Sequence, residues 1–344
     1  MTKELLTYSR QMSLLSCPRA HYYRYELGLQ SATDSIALQF GSAWHRAMEA
    51  RWKGANYDLA LAAAVPEGIE FDEANIAVIA GLLAGYYEYY ANDPVKEMLP
   101  EVEFSHPIKG SHTFDSAGKI DGIGVLSDGR QAMVEHKTTG DSLAEDSDYW
   151  LRLRWCGQVM QYIIASRLSG WDIRTVLYDV TRKPSIAPKT ISVLDDAGCK
   201  IVVDASGARV FKKDGKPRES GDLEKGYTVQ TRLETSEEFS SRLAADCKAR
   251  PEFYFARHSV PILDQDLQEF EVQRTGLAHI ILWYRQAQKR VSAPAQAWPR
   301  NCNGMTCKAC PFAGPCLQNL TIDTEHVPAG FVIGKINSEL EGVN

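Results

Sequence analysis

Residues 118–138, GKIDGIGVLSDGRQAMVEHKT, decide the fold. Apolar and polar residues alternate within 118–126 and again within 131–138, and the Asp-Gly pair between these two runs is typical of a hairpin turn. An earlier run, 101–108 (EVEFSHPI), has the same two-residue period. Together the three runs predict a β-strand meander.

The last of these strands carries a chemically useful pair. Glu135 and Lys137 are two residues apart and therefore lie on one face of the strand, whereas His136 lies on the other. Asp121, in the preceding strand, is placed to lie beside Glu135 across the strand pair. Carboxylates are the hard oxygen ligands of a divalent metal, and a neighbouring ammonium can orient a water. The pattern therefore predicts a Mg²⁺ site.

An acidic residue two positions before a lysine is a weak signal by itself. The chain has two further matches, Asp214-x-Lys216 in a turn-like stretch and Asp246-x-Lys248 in an amphipathic one. Both are typical of solvated surface. Only Glu135-x-Lys137 lies in a β-like run that follows another β-like run containing an aspartate.

Helices are predicted on both sides of the meander. Residues 8–29 have helix-like spacing with a Cys-Pro in the middle, so we expect a broken helix or a helix-turn-helix with Cys17 at the break. Further helices are expected at 40–54, 74–92 and, as one long stretch, 145–169. A strand at 173–181 follows. Strands, a helix and another strand indicate a mixed sheet with helices on its faces.

The second half of the chain is less regular. Residues 183–231 are rich in Pro, Gly, Lys and Asp, and we interpret them as an insertion with one hairpin near 200–213. Two helices are predicted at 234–249 and 265–290, before a cysteine-containing segment that begins near 293. We find no internal repeat.

Composition excludes several classes of protein. The chain has 344 residues, of which 44% are hydrophobic and 24% charged, as in ordinary globular proteins. No apolar run has the roughly 18–20 residues that a membrane span needs, and the start lacks a signal-peptide core, so we expect a cytoplasmic protein. A net charge of -6 argues against a uniformly basic coat for nucleic acid but not against a local basic groove.

Half of the eight cysteines lie close together near the end of the chain, at Cys302, Cys307, Cys310 and Cys316. In a chain without a secretory signal, such a cluster predicts a metal or iron–sulfur site rather than disulfides. The spacing from Cys302 to Cys310 matches plant-type [2Fe–2S] proteins, and zinc suits four thiolates equally well. From local spacing alone, the four ligands would be Cys302, Cys307, Cys310 and Cys316.

Two short motifs flank the strand pair. Gly41 and His45 lie at the start of a predicted helix, from which an imidazole could reach a metal. Gln158 and Tyr162 lie one helical turn apart downstream, so that an amide and a phenol share one helix face.

The ordered set G-x-x-x-H, D, E-x-K and Q-x-x-x-Y resembles the RecB-like branch of the PD-(D/E)XK nuclease superfamily. With Cys17-Pro at one end and Cys307-x₂-Cys310-x₅-Cys316 at the other, the chain is similar to the iron–sulfur members of that branch. These include AddB-type helicase–nuclease subunits, the RecB-like exonucleases of CRISPR adaptation and phage-encoded relatives. Asp121 follows Ile120 rather than a proline, a modest departure from the family pattern.

The resemblance implies an α/β fold: a restriction-endonuclease-like mixed sheet flanked by helices, with an iron–sulfur module joining the N- and C-termini. It implies that His45, Asp121 and Glu135 bind Mg²⁺ or Mn²⁺, with the His136 backbone carbonyl completing the site and Lys137 serving the attacking water. The ligands of a [4Fe–4S] cluster would be Cys17, Cys307, Cys310 and Cys316. Gln158, Tyr162, Arg152 and Arg154 would contact DNA.

The resulting organisation has four parts. Residues 1–182 hold the first cluster ligand, a helical region and the nuclease core, and 183–231 form the insertion. The C-terminal helices span 232–292, and 293–344 carry the cysteine cluster and tail.

The function implied is a metal-dependent DNA exonuclease acting on single strands or DNA ends, in recombination, repair or phage DNA processing. The alternatives are a non-catalytic DNA-binding or assembly subunit with the same fold, and a zinc-stabilised endonuclease. No G-x-x-x-x-G-K-[ST] motif occurs, so any unwinding requires a helicase or recombination partner. Oligomerisation is possible, because some relatives form rings.

Overall fold

The computed structural model describes residues 3–32, 36–66, 71–337 and 340. Its centre is a six-stranded mixed sheet. The sheet consists of β1 (Glu4–Leu6), β3 (Glu97–Pro107), β4 (Phe114–Val125), β5 (Gln131–Thr139), β6 (Thr175–Arg182) and β11 (Phe255–Pro261). Short strands outside it are β2 (Leu29–Ser31), β7 (Thr190–Ser192), β8 (Val202–Val203), β9 (Thr228–Val229), β10 (Thr231–Leu233) and β12 (Phe331–Ile333).

The pairing of strands is interrupted along one edge of β4, near the centre of the sheet. One edge of β4 pairs with β3 from Asp115 to Val125, with Asp121 left out of the pairing. The other edge pairs with β1 at Phe114–Ser116 and with β5 only from Gly122 onward. Residues 117–121 therefore have no strand partner on that edge. β5 continues into a parallel pairing with β6, and β11 closes the sheet antiparallel to β6.

Helices cover both faces of this sheet. They are α1 (Tyr8–Ser16), α2 (Pro18–His21), α3 (Ile36–Trp52), α4 (Tyr57–Ala64), α5 (Glu73–Tyr89), α6 (Asp148–Leu153), α7 (Gly157–Leu168), α8 (Ser236–Ala249), α9 (Pro251–Tyr254), α10 (Asp264–Ala287), α11 (Gly304–Ala309) and α12 (Ala313–Leu317). The apolar residues of α6, α7 and α10 form one core with the sheet. Those of α3, α4, α5 and α8 form a second core, which Phe255 of β11 joins to the sheet. Within the described ranges, no helix is both long and apolar enough to cross a membrane.

The predicted meander is present as β3, β4 and β5, and the strand at 173–181 is present as β6. The single helix predicted over 145–169 is wrong, because α6 ends at Leu153 and α7 begins at Gly157. The Tyr178 hydroxyl donates a hydrogen bond to the Leu153 carbonyl at 2.6 Å, which satisfies the end of α6. A Cβ at Gly157 would lie 2.8 Å from the Tyr8 ring, so the chain is tightly packed where it turns.

The two ends of the chain pack on each other. α1 and α2 are separated at Cys17, as predicted, and a π-helical turn follows at Tyr22–Glu26. Tyr22, Tyr23 and Phe114 share a core with Trp298 and Phe312. The Arg19 guanidinium donates to the Trp298 carbonyl at 2.8 Å, and β12 pairs with β2.

Residues 183–233, which we name the β arm, contain short β pairings, turns and one 3-10 helix at Leu223–Lys225. β7 pairs with β10 at the base of the arm, and β8 pairs with β9 further out. The hairpin predicted near 200–213 is present in small form, closed by a bridge between Val203 and Arg209.

Candidate active site

The interruption in β4 is where the predicted site residues meet. Asp121 lies at its end, and its Oδ2 accepts the backbone N–H of His136 at 2.8 Å. A side-chain oxygen therefore bonds the β5 backbone just beyond the last paired residues, Gly122 and Val134. The other oxygen, Oδ1, lies 3.1 Å from Nδ1 of His45 on α3. These contacts join α3, β4 and β5 at one carboxylate.

Glu135 and Lys137 project together toward α7, as their spacing predicts. The Lys137 ammonium donates to Glu135 Oε1 at 2.5 Å and to the Gln158 side-chain oxygen at 2.8 Å. The Gln158 amide in turn donates to the Tyr162 hydroxyl at 3.1 Å. Tyr162 is only 7% exposed, with its ring edge-on to Phe104. The four side chains form one hydrogen-bonded row from β5 to α7.

Burial and charge compete at this site. Burial raises the pKa of Glu135, with the nearby Asp121 carboxylate adding to the rise and Lys137 opposing it. Burial also acts to raise the pKa of Asp121, but the His45 ring outweighs it and the pKa is lowered. Burial would depress the pKa of Lys137, yet Glu135 raises it well above its usual value. The lysine is therefore held as a cation.

The donor set fits a divalent metal. As the chain stands, no group of three His, Cys, Asp or Glu side chains in the described ranges is arranged to hold an ion. However, the buried Oε2 of Glu135 has no hydrogen-bond partner, although such an atom ordinarily has one. A cation beside Glu135 and Asp121 would supply that partner and would offset the repulsion between the two carboxylates.

The His136 side chain lies on the opposite face, as predicted, in a network that the sequence analysis missed. Its Nε2 accepts from the Trp52 indole N–H at 3.1 Å, and its Nδ1 lies 3.2 Å from Asp179. Asp179 is fully buried on β6 and also accepts from Tyr86 and Arg257. The sequence signal that could have revealed this network is Asp179 itself, a charged residue inside the apolar run of β6. The network fixes the strand that carries Glu135 and Lys137.

Arg152 and Arg154 lie at the C-terminal end of α6, exposed to solvent. Arg152 pairs with Asp141 at 2.5 Å, in the loop that follows β5. Arg154 stacks over the exposed ring of Trp155 at 5.5 Å. They belong to the rim of the site, whereas Gln158 and Tyr162 belong to its interior.

The five candidate cysteines line one pocket. Its walls include Cys17 after α1 together with Cys302, Cys307, Cys310 and Cys316. All five are free thiols. Cys302 is exposed, whereas the other four are buried or half-buried. The structure therefore brings residue 17 to the C-terminal segment, across nearly the whole length of the chain.

The pocket also supplies donors to sulfur. The Asn301 backbone N–H points to Cys17 Sγ at 3.4 Å, and the Arg300 side chain bonds Cys316, which raises the pKa of Arg300. Burial raises the pKa of the Cys310 thiol, and the neighbouring thiols add to the rise. Cysteine thiolates are the usual ligands of iron–sulfur clusters and of structural zinc, although no three of the described thiols are arranged to hold an ion as the chain stands.

A sequence model of the PD-(D/E)XK nuclease superfamily matches residues 5–316. No curated protein matches the chain. Among solved structures, the chain is similar to one described as "Crystal structure of SSO0001", with 12% identity and a TM-score of 0.33 over 93% of this chain and 89% of the other. The match to the superfamily covers the site, the β arm and the cysteine pocket. The chain belongs to the PD-(D/E)XK nuclease superfamily, and membership indicates a nuclease.

Proposed function

We propose that the protein is a Mg²⁺- or Mn²⁺-dependent DNA exonuclease that acts on single strands or DNA ends, in recombination, repair or phage DNA processing. The observation that carries the catalytic part is the unpartnered Glu135 oxygen beside Asp121 and the Lys137 ammonium. A divalent metal held there would activate water and stabilise the negative charge that develops on a phosphodiester. His45, Asp121, Glu135 and the His136 carbonyl would hold it.

The remaining residues position these groups. Lys137, which donates to Glu135 and to Gln158, would orient the attacking water or help to deprotonate it, and would stabilise phosphate charge. Gln158 and Tyr162 were predicted to contact DNA. Because Gln158 bonds both Lys137 and Tyr162, we propose that the two residues also hold the lysine toward the scissile phosphate. Contact with the strand falls to the exposed Arg152 and Arg154.

A nuclease assay with Mg²⁺ or Mn²⁺ tests this function, using end-labelled linear and circular single-stranded DNA. We expect digestion of the linear DNA only, and a loss of at least about a hundredfold in rate for Lys137→Ala. Lys248→Ala is the matched control, since Lys248 also follows an acidic residue by two positions but pairs with Glu88 on the surface. DNA binding without cleavage in either metal would instead favour the non-catalytic subunit.

We also propose that Cys17, Cys307, Cys310 and Cys316 hold a [4Fe–4S] cluster. The burial of these four beside the exposed Cys302 supports this choice over the alternative set. After anaerobic purification we expect iron, sulfide and absorbance near 400 nm, all lost in Cys17→Ser and Cys310→Ser but kept in Cys302→Ser and in the control Cys199→Ser. Zinc in place of iron would contradict the cluster, and loss of iron in Cys302→Ser would favour the other set.

A further inference from the structure

The β arm repeats one small unit three times, which the sequence analysis missed. Isolated β-bridges join Leu194 to Lys200, Val203 to Arg209 and Phe211 to Pro217, and the two partners of each bridge are six positions apart in the sequence. Every loop contains a glycine in the left-handed region, at Gly198, Gly207 and Gly215. In the first loop the Asp195 N–H bonds the Cys199 carbonyl and the Gly198 N–H bonds the Asp195 carbonyl, and the other two loops repeat both bonds. The three loops therefore share their backbone hydrogen bonds and their glycine, but few of their other residue types.

This arm is basic although the protein is acidic. Residues 183–233 contain ten lysines and arginines against seven aspartates and glutamates, whereas the whole chain has 38 against 44. The third loop is the most basic, with Lys212, Lys213 and Lys216 around one aspartate. Lys212 and Lys213 are exposed and form no ion pair with any residue that the structure describes, and Lys216 lies 3.8 Å from Asp214. Their positive charge is thus directed to solvent.

The arm leaves the sheet beside the candidate active site. β5 and β6 run parallel, and Lys137 lies level with Val180 near the end of β6. The chain then enters the arm at Lys183, whose N–H bonds the Thr139 carbonyl at 2.7 Å. The Lys183 ammonium lies 4.6 Å from the centre of the Phe40 ring, on the helix that carries His45. The arm therefore begins next to the strand that carries Glu135 and Lys137, with the Lys183 ammonium at its base.

Aromatic groups accompany the charges. Phe211, at the start of the third loop, is about half exposed, and the Arg209 guanidinium lies 5.1 Å from its ring centre. The guanidinium is itself paired with Asp195, so the exposed Phe211 ring is the group that is free to stack on a nucleobase. An acidic protein surface would contact only the lysines, and an apolar surface would contact only the ring. A nucleic acid strand would contact both.

We infer that the β arm is a second DNA-binding surface, whose third loop binds the phosphates of the strand that occupies the active site. The inference rests on the proposed DNA nuclease function. The arm contributes affinity and not chemistry, because its lysines lie outside the row of residues around Glu135 and Lys137. Binding through it is electrostatic and therefore decreases steeply with salt.

The test compares two triple variants of the full-length protein. Lys212→Ser/Lys213→Ser/Lys216→Ser removes the third-loop charges, and Lys109→Ser/Lys289→Ser/Arg290→Ser removes three exposed charges elsewhere. Fluorescence anisotropy measures the affinity for labelled single-stranded DNA in EDTA over a range of salt. We expect the arm variant to bind about tenfold or more weakly at low salt, with a slope of log K against log salt smaller by about 2. The control should match the wild type.

Hydrolysis of a small chromogenic phosphodiester, which cannot reach the arm, should be equal in all three proteins. Equal DNA affinity and salt slope in the two variants, with normal cleavage of DNA by the wild type, would overturn the arm proposal alone. A wild type that neither binds nor cleaves DNA would overturn the proposed function and the arm proposal with it.

Discussion

Asp179 illustrates at the scale of one residue how the chain stabilises buried charge. Burial alone would raise its pKa, but the Arg257 guanidinium and His136 lower it far below its usual value. Arg257 is shared with Asp93, at 2.6 Å, and Arg51 of α3 also binds Asp93. The ionised carboxylate thus joins β6, β11 and α3 behind the strand that carries Glu135.

Replacing Asp179 by asparagine should therefore destabilise the protein. The substitution leaves Arg257 with one carboxylate instead of two, and we expect the free energy of unfolding to fall by about 3 kcal/mol. Urea denaturation measures this change. Asp172→Asn, which removes an exposed pair with Arg174, is the control and should have little effect. Equal stability of the two variants would refute the structural importance assigned to the network.

At the scale of elements, the sequence pattern predicted those strands and helices that depend only on neighbouring residues. The period of two in 101–108, 118–126 and 131–138 predicted three strands, because successive side chains of a strand point to opposite faces of the sheet. The strand β11 was missed: its sequence, FARHSVP, has a polar centre and gains its partner only from β6, more than 70 residues earlier. The break between α6 and α7 was missed for a similar reason, since it depends on the distant Tyr178 and Tyr8.

The same distinction applies to the candidate site. The placement of Glu135 and Lys137 on one face follows from strand geometry alone and could be predicted. The unpaired edge of β4 could not, because it depends on where β1 and β5 stop pairing. The hydrogen bond from the His136 N–H to the Asp121 side chain could not be predicted either, because it stands where a backbone bond between β4 and β5 would otherwise continue.

The packing of α5 against α8 makes a prediction at this scale. A Cβ at Gly85 would overlap with the Cβ of Cys247, so the two helices approach closely there. We expect Gly85→Ala to lower the free energy of unfolding by about 1–3 kcal/mol through overpacking. Gly276 in α10 has no atom within 4 Å of a Cβ, and Gly276→Ala should raise stability by about 0.5–1 kcal/mol. Thermal unfolding of both variants checks the sign, and stabilisation by Gly85→Ala would contradict the packing.

At the scale of the whole molecule, the two ends of the chain are joined by charge as well as by the cysteine pocket. Arg285 of α10 bonds Glu4 of β1 and Glu26 of the π-helical turn at 2.6–3.0 Å. Arg10, almost fully buried, bonds the same two carboxylates at 3.1 Å. A cluster at Cys17 and Cys316 would strengthen the same connection, and its binding would be coupled to folding.

This charged junction predicts a pH dependence. Burial opposes the ionised form of Glu26, but His21, Arg285 and Arg10 together lower its pKa to about 2. Because the pKa is depressed on folding, its stabilisation is complete above the unfolded value and is lost as the pH falls toward 2. We expect Glu26→Gln to cost about 3 kcal/mol near neutral pH and progressively less below pH of about 4.5. Urea unfolding against pH, with the exposed Glu224→Gln as control, checks this; a constant difference between wild type and Glu26→Gln would contradict it.

Single-turnover cleavage of end-labelled linear DNA by Glu135→Gln tests the central claim most directly. The substitution preserves shape while removing the carboxylate whose free oxygen is assigned to the metal. We predict cleavage at least about a hundredfold slower than in the wild type, together with weaker Mn²⁺ binding by calorimetry, in a protein that unfolds cooperatively. Glu237→Gln, on the exposed first turn of α8, should behave as the wild type. Wild-type cleavage and Mn²⁺ affinity in Glu135→Gln would contradict the account.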